Sequence, residues 1–197
     1  MKGGVLILVI ALIGLAIWGF TSYNGLVAQD ESVNKAWNNV QASYQKRLDQ
    51  ISQQVETVKG AANFEQTTLT KVIEARSKAT SVTLDTKDAT PENIEKFRQM
   101  QNQVNGEMGS ALSRLLVTVE QYPNLKANEN FLALQRSIEG LEGEVGADRR
   151  MFNEEVRVFN TKVRSFPANI VAGIGGFSVK EGFKADEGAS KRPDIKF

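Results

Sequence analysis

Charged side chains gather at two places where chemistry is conceivable: Asp148 beside Arg149 and Arg150, and Glu154 and Glu155 beside Arg157. Paired carboxylates near a guanidinium can move a proton or hold a cation, which is the minimum equipment of a carboxylate-pair hydrolase. On a solvated helix the same residues form ordinary ion pairs, and that reading is preferred. The chain has no histidine and no cysteine. Composition alone therefore excludes Ser-His-Asp and Cys-His triads, thiolate and imidazole metal sites, disulfides and a lipidated cysteine anchor. A bundle-type di-iron centre needs Glu-x-x-His pairs, and none occurs. Gly173-x-Gly175-Gly176 has the spacing of a phosphate loop, but it follows no strand pattern and lacks the neighbouring lysine and serine. No catalytic, metal or cofactor site is expected, and the chain reads as a non-enzyme.

The elements that carry these residues begin with an apolar one. From Val5 to Phe20 every residue is apolar or glycine, and the uncharged run continues past Ser22, long enough for a helix to cross ~30 Å of hydrocarbon. Trp18, Phe20 and Tyr23 cluster at its end, where amphipathic rings favour the boundary between lipid and water. A cleaved signal peptide has a shorter apolar core and a small-x-small cleavage site, and neither is found. Residues 1–23 are thus expected to be a single membrane anchor in contact with the bilayer through residues 5–22. Lys2 precedes the span, whereas no basic residue follows until Lys35. The positive-inside rule then places the rest of the chain on the non-cytoplasmic side of the membrane.

Residues 24–166 read as a helical bundle domain. Trp37, Tyr44, Ile51, Val58, Glu65, Val72 and Ala79 fall seven apart, and Leu48, Val55, Ala62 and Leu69 fill the offset of four. This is one coiled-coil-like seam on one helix face, so a continuous helix from the membrane to about Ser81 is expected. Polar groups on or beside seams, here Glu65, Arg76 and Asp148, are expected to fix register or partner number. Thr90-Pro91-Glu92 has the chemistry of a helix start: an N-cap hydroxyl, proline at the first helical position, an acid in the first turn. A second helix should run from Pro91 to near Tyr122, with Gly106 and Gly109 allowing close contact to a neighbour. A third should run from about Asn124 to Ser165, with Phe131, Ile138, Val145, Phe152, Phe159 and Phe166 as its core stripe. The expected fold is all-α, a long antiparallel bundle of three to four helices.

Residues 167–197 form a tail rich in glycine and phenylalanine that no helix is expected to absorb. Phe177, Phe183 and Phe197 imply that it docks on something. The first helix outreaches the other two, so Trp37, Tyr44 and Leu48 would face water unless another chain covers them. These six residues are the expected interface of a homo-oligomer. With 24 basic and 23 acidic side chains there is no net field for nucleic acid, which is not an expected partner.

Several strings together resemble one family. They include Tyr23-Asn24-x-Leu26-Val27, Val33-Asn34-Lys35-Ala36-Trp37, Val55-Glu56-Thr57-Val58-Lys59-Gly60 and Ala75-Arg76. Leu112-Ser113-Arg114-Leu115, Glu120-x-Tyr122-Pro123-x-Leu125-Lys126-Ala127 and Asn130-Phe131-x-x-Leu134-Gln135 follow. Phe152-Asn153, Phe159-Asn160, Phe166-Pro167 and Pro193-Asp194-Ile195-x-Phe197 complete the set. In these the chain resembles the LemA family of bacterial membrane proteins over essentially its whole length. The resemblance implies one N-terminal span and an antiparallel helical bundle, and it implies no reaction. One departure concerns Asp49-Gln50-Ile51-Ser52-Gln53, where family members commonly carry Ile-Pro-Asn. Without that proline the first helix is expected to be straighter. The function expected is a self-assembling scaffold at the inner membrane, able to engage other membrane proteins; the alternative is an accessory or regulatory subunit of a membrane enzyme, transporter or signalling system.

Overall fold

The computed structural model describes residues 2–61, 89–120 and 129–184. Its elements are α1 (Lys2–Ala61), α2 (Pro91–Glu120), α3 (Glu129–Arg164) and a short α4 (Ala168–Gly175). The described residues are helical apart from short turns and the segments 89–90 and 177–184, with no strand among them.

No proline precedes Pro91, and α1 accordingly runs 60 residues without a break, about 90 Å at 1.5 Å per residue. It passes through Asp49-Gln50-Ile51-Ser52-Gln53 as regular helix. Its two halves have opposite surroundings. In the first, Val5, Ile7, Ile10, Ile13, Leu15 and Ile17 are 54% to 71% exposed, a bare apolar surface on a helix long enough to cross a bilayer. In the second, Trp37, Val40, Tyr44, Leu48, Ile51, Val55 and Val58 are buried.

The cover comes from this chain. α3 lies antiparallel along α1: Gln54 donates to Ser137, Lys46 pairs with Glu144, and Gln29 donates to Glu155. α2 starts back beside Asn34, whose Oδ1 accepts from the Ala89 N–H at 3.2 Å. From there α2 runs in the direction of α1, with Phe97 against Trp37 and Asn105 against Arg47. The start of α2 is capped as its sequence requires, since Thr90 Oγ1 accepts from the Asn93 N–H and Thr90 O from the Ile94 N–H. Two apolar clusters fill the space between helices. One, around Ile51, Val55, Val104, Phe131 and Leu134, lies far from the span. The other, around Trp37, Phe97, Phe152 and Phe159, lies nearer to it.

Four expectations are corrected. Trp37, Tyr44 and Leu48 do not await a second chain, because α3 matches the second half of α1 in length and covers it. Phe166 leaves the core stripe and is 82% exposed, since α3 ends at Arg164 and the heptad geometry ends with it. Gly106 and Gly109 mark no close contact among the described residues, since none of these comes within 4 Å of a β carbon placed at either. The tail does yield a helix: α4 forms because Gly176, at φ +77°, closes it with a left-handed cap and the Phe177 N–H returns to Ala172 O. Glu65 and Arg76 lie outside the described residues, as does Phe197.

Candidate functional site

Two polar constructions stand out on the bundle. The first is built on Arg47, whose side chain is only 6% exposed. α1 brings it beneath α2 and α3, where its guanidinium donates to Glu142 Oε1 at 2.9 Å and to Asn105 Oδ1, and lies 5.1 Å from the centre of the Tyr44 ring. One buried cation thus ties three helices. A buried guanidinium is tolerated only when its donors are met, so Arg47, Asn105 and Glu142 set the register of these helices.

The second is a strap. After Gly176 the chain is extended over residues 177–184 and returns along α3. Asn153 Nδ2 donates to Phe183 O at 3.0 Å while the Phe183 N–H donates to Asn153 Oδ1 at 2.7 Å. Asn160 repeats the arrangement with Lys180, at 2.8 Å in both directions. A carboxamide offers one donor and one acceptor side by side, so it satisfies the N–H and C=O of one extended residue as a neighbouring strand would. The spacing matches too. Seven helical residues rise ~10.5 Å, and three extended residues cover about 10 Å.

Side chains complete the attachment. The Phe183 ring stacks 6.1 Å from Trp37 and meets Phe152 edge-on at 5.6 Å, with the Arg149 guanidinium over the ring, 5.0 Å from its centre. Phe177 lies between Tyr23 and Phe159. Lys180 pairs with Asp30 of α1 at 2.9 Å. Gly182 permits the approach, because a β carbon there would stand 2.7 Å from Asn153 Oδ1. A cleft of about 690 Å³ remains between strap and α3, lined among others by Asn160, Arg164, Lys180 and Lys184.

The structure therefore brings Trp37 and Phe183 together, with Phe177 farther along the same strap, while Tyr44 joins the Arg47 group and Leu48 the far cluster. Of the acid and base groups noted in sequence, Glu154 accepts two hydrogen bonds from Arg157, at 2.9 and 2.5 Å. Arg157 thereby holds the Glu154 carboxyl below its ordinary value, and the same hydrogen bonds, donated to Glu154, raise Arg157. Glu155 instead serves the helix contact with Gln29. Gly173 and Gly175 lie within α4 and Gly176 caps it. Sequence reading misses Arg47, Asn153 and Asn160. The available signal is the Phe-Asn pair recurring at 152–153 and 159–160: the phenylalanines enter the core and the asparagines, one position on, face the strap.

A family model described as the LemA family matches residues 36–197, which include the second half of α1, the Phe-Asn pairs and the strap. The chain belongs to the LemA family. Among LemA-family relatives it is 28% identical over 149 residues to Protein LemA of Metamycoplasma hominis, covering 76% of this chain and 63% of that protein. It is 30% identical over 80 residues to magnetosome protein MamQ 2 of Paramagnetospirillum magneticum, covering 41% of this chain and 29% of that one. Magnetosome protein MamQ of Magnetospirillum gryphiswaldense is 30% identical over 79 residues, with 40% and 29% covered. The chain thus spans less than two thirds of the length of each of these relatives. With the bare apolar half of α1, family membership makes it a membrane-associated helical protein.

Proposed function

We propose that this protein is a non-enzymatic, membrane-tethered helical scaffold of the bacterial envelope. Residues 5–22 anchor it in the cytoplasmic membrane, the bundle stands on the non-cytoplasmic side, and copies self-assemble there or gather other membrane proteins. The observation that carries this reading is α1, one uninterrupted helix whose first half is bare and apolar and whose second half is the central core element. Such an element fixes a bundle to a bilayer and does no chemistry. The polar constructions agree in kind, since guanidinium, carboxamide and backbone groups at Arg47, Asn153 and Asn160 are used to hold helices and strap. Neither nucleic acid nor a cofactor is part of the proposal.

The alternative, an accessory or regulatory subunit of a membrane enzyme or transporter, is favoured by one specific observation. Trp37, Tyr44 and Leu48 are 0%, 5% and 3% exposed within a single chain, so the bundle needs no second copy to be complete. Light scattering of the full-length protein in lipid nanodiscs separates the two readings. An oligomer is the expected result, whereas a monomer ends the self-assembly proposal and leaves the accessory reading.

A further inference from the structure

Outside the span, the described chain exposes few large apolar side chains. Apart from Leu132 and Met151 they are Tyr23 and Val27 of α1 and Phe166, Ile170, Ile174 and Val179 around α4. Phe166 and Ile174 are 82% and 85% exposed, far more than a water-facing turn favours for side chains of this size. No charged residue occurs from Ser165 to Val179, and charge resumes on either side at Arg164 and Lys180. This short uncharged apolar segment is therefore bounded like one that leaves water and returns to it.

Its position says what covers it. α4 packs on both α1 and α3, and a β carbon at Gly175 would approach the Tyr23 ring to 3.0 Å. The Phe177 ring sits 5.6 Å from that of Tyr23. Tyr23 closes the apolar run of α1, and residues 3–29 carry no charge, a rise of ~40 Å against ~30 Å of hydrocarbon. The part of α1 beside α4 therefore lies in the headgroup and upper acyl layer.

We infer that α4 and the turn before it are a second membrane contact, seated in the interfacial layer of the leaflet that α1 leaves, with Phe166, Ile170 and Ile174 against lipid. A short apolar helix flanked by charge suits that layer. The strap, which begins at the end of α4, then connects a lipid-seated element to Trp37 in the core.

The inference rests on α1 crossing the bilayer, and its test separates the two ideas. The chain contains no cysteine, so single cysteines can carry a polarity-sensitive fluorophore without background. Four full-length variants are compared in nanodiscs: Ile170→Cys, Ile174→Cys, Ile13→Cys in the span and Leu132→Cys far from it. Lipids bearing a nitroxide near the headgroup should remove most of the emission at 170 and 174, blue-shifted relative to 132, and aqueous iodide should remove little. Quenching at 13 by nitroxide deep in the acyl chain, with 170 and 174 quenched by iodide like 132, overturns the inference and leaves the anchor intact. Shielding of 170 and 174 from both quenchers also overturns it and assigns the face to protein. Loss of lipid quenching at 13 sinks the anchor itself.

Discussion

A β carbon at Gly182 would stand 2.7 Å from Asn153 Oδ1, closer than such contacts occur, so Gly182→Ala must push the carboxamide away. Both of its hydrogen bonds to Phe183 then weaken, at about 0.5–1.5 kcal/mol each. Asn153→Ala removes the same bonds directly. The two substitutions act through one contact and should be less than additive: each alone lowers the thermal midpoint of the detergent-solubilised protein, and the double variant falls little further. Fully additive losses would show that Gly182 and Asn153 do not share that contact. The Phe-Asn repeat at 152–153 and 159–160 marks the position in sequence, but the partner is not legible, because the contact joins a side chain to backbone atoms of a distant segment, which leave no compositional trace. By contrast, the burial of Phe152 and Phe159 is legible, since the position of a large apolar residue on a helical period depends on its own chain.

At the scale of elements, the start of α2 is legible at Thr90-Pro91 because capping is local, and the end of α3 is legible at Pro167 for the same reason. The glycines conceal α4, whose helix depends on packing beside Tyr23 and on the Gly176 cap rather than on propensity. The direction of α2 is likewise set by tertiary contacts. On the surfaces of α2 and α3, hydrogen bonds from Lys96, Arg98 and Arg157 hold the carboxyls of Glu92, Glu95 and Glu154 below their ordinary values. A carboxyl lowered in the folded state stabilises it above the unfolded pKa, and that contribution is lost as pH falls through the folded value. With no histidine or cysteine to titrate, the thermal midpoint should be flat between roughly pH 5.5 and 7.5 and should decline modestly below about pH 4.5. A step near pH 6.5 would require a titrating group other than these carboxyls.

The proposed topology rests on Lys2 before the apolar run and Lys35 as the first basic residue after it, a bias that by the positive-inside rule favours a bundle outside the cytoplasm. Protease added to intact spheroplasts should remove the bundle while a cytoplasmic marker survives. Protection of the bundle, with an external marker cut, would reverse the orientation. The continuity of α1 has a mechanical consequence whichever side the bundle occupies. In the proposed membrane-anchored state, a helix without a joint at the bilayer surface is a lever, with its fulcrum at the lipid interface near Tyr23. Spanning helices tilt when their apolar length exceeds the local bilayer thickness. The arm from Tyr23 to Ala61 is ~57 Å long at 1.5 Å per residue, so a tilt of about 10° carries its far end sideways by roughly 10 Å. α2 and α3, fastened to the rod through Arg47, travel with it, and a small change in bilayer thickness becomes a displacement as wide as a helix.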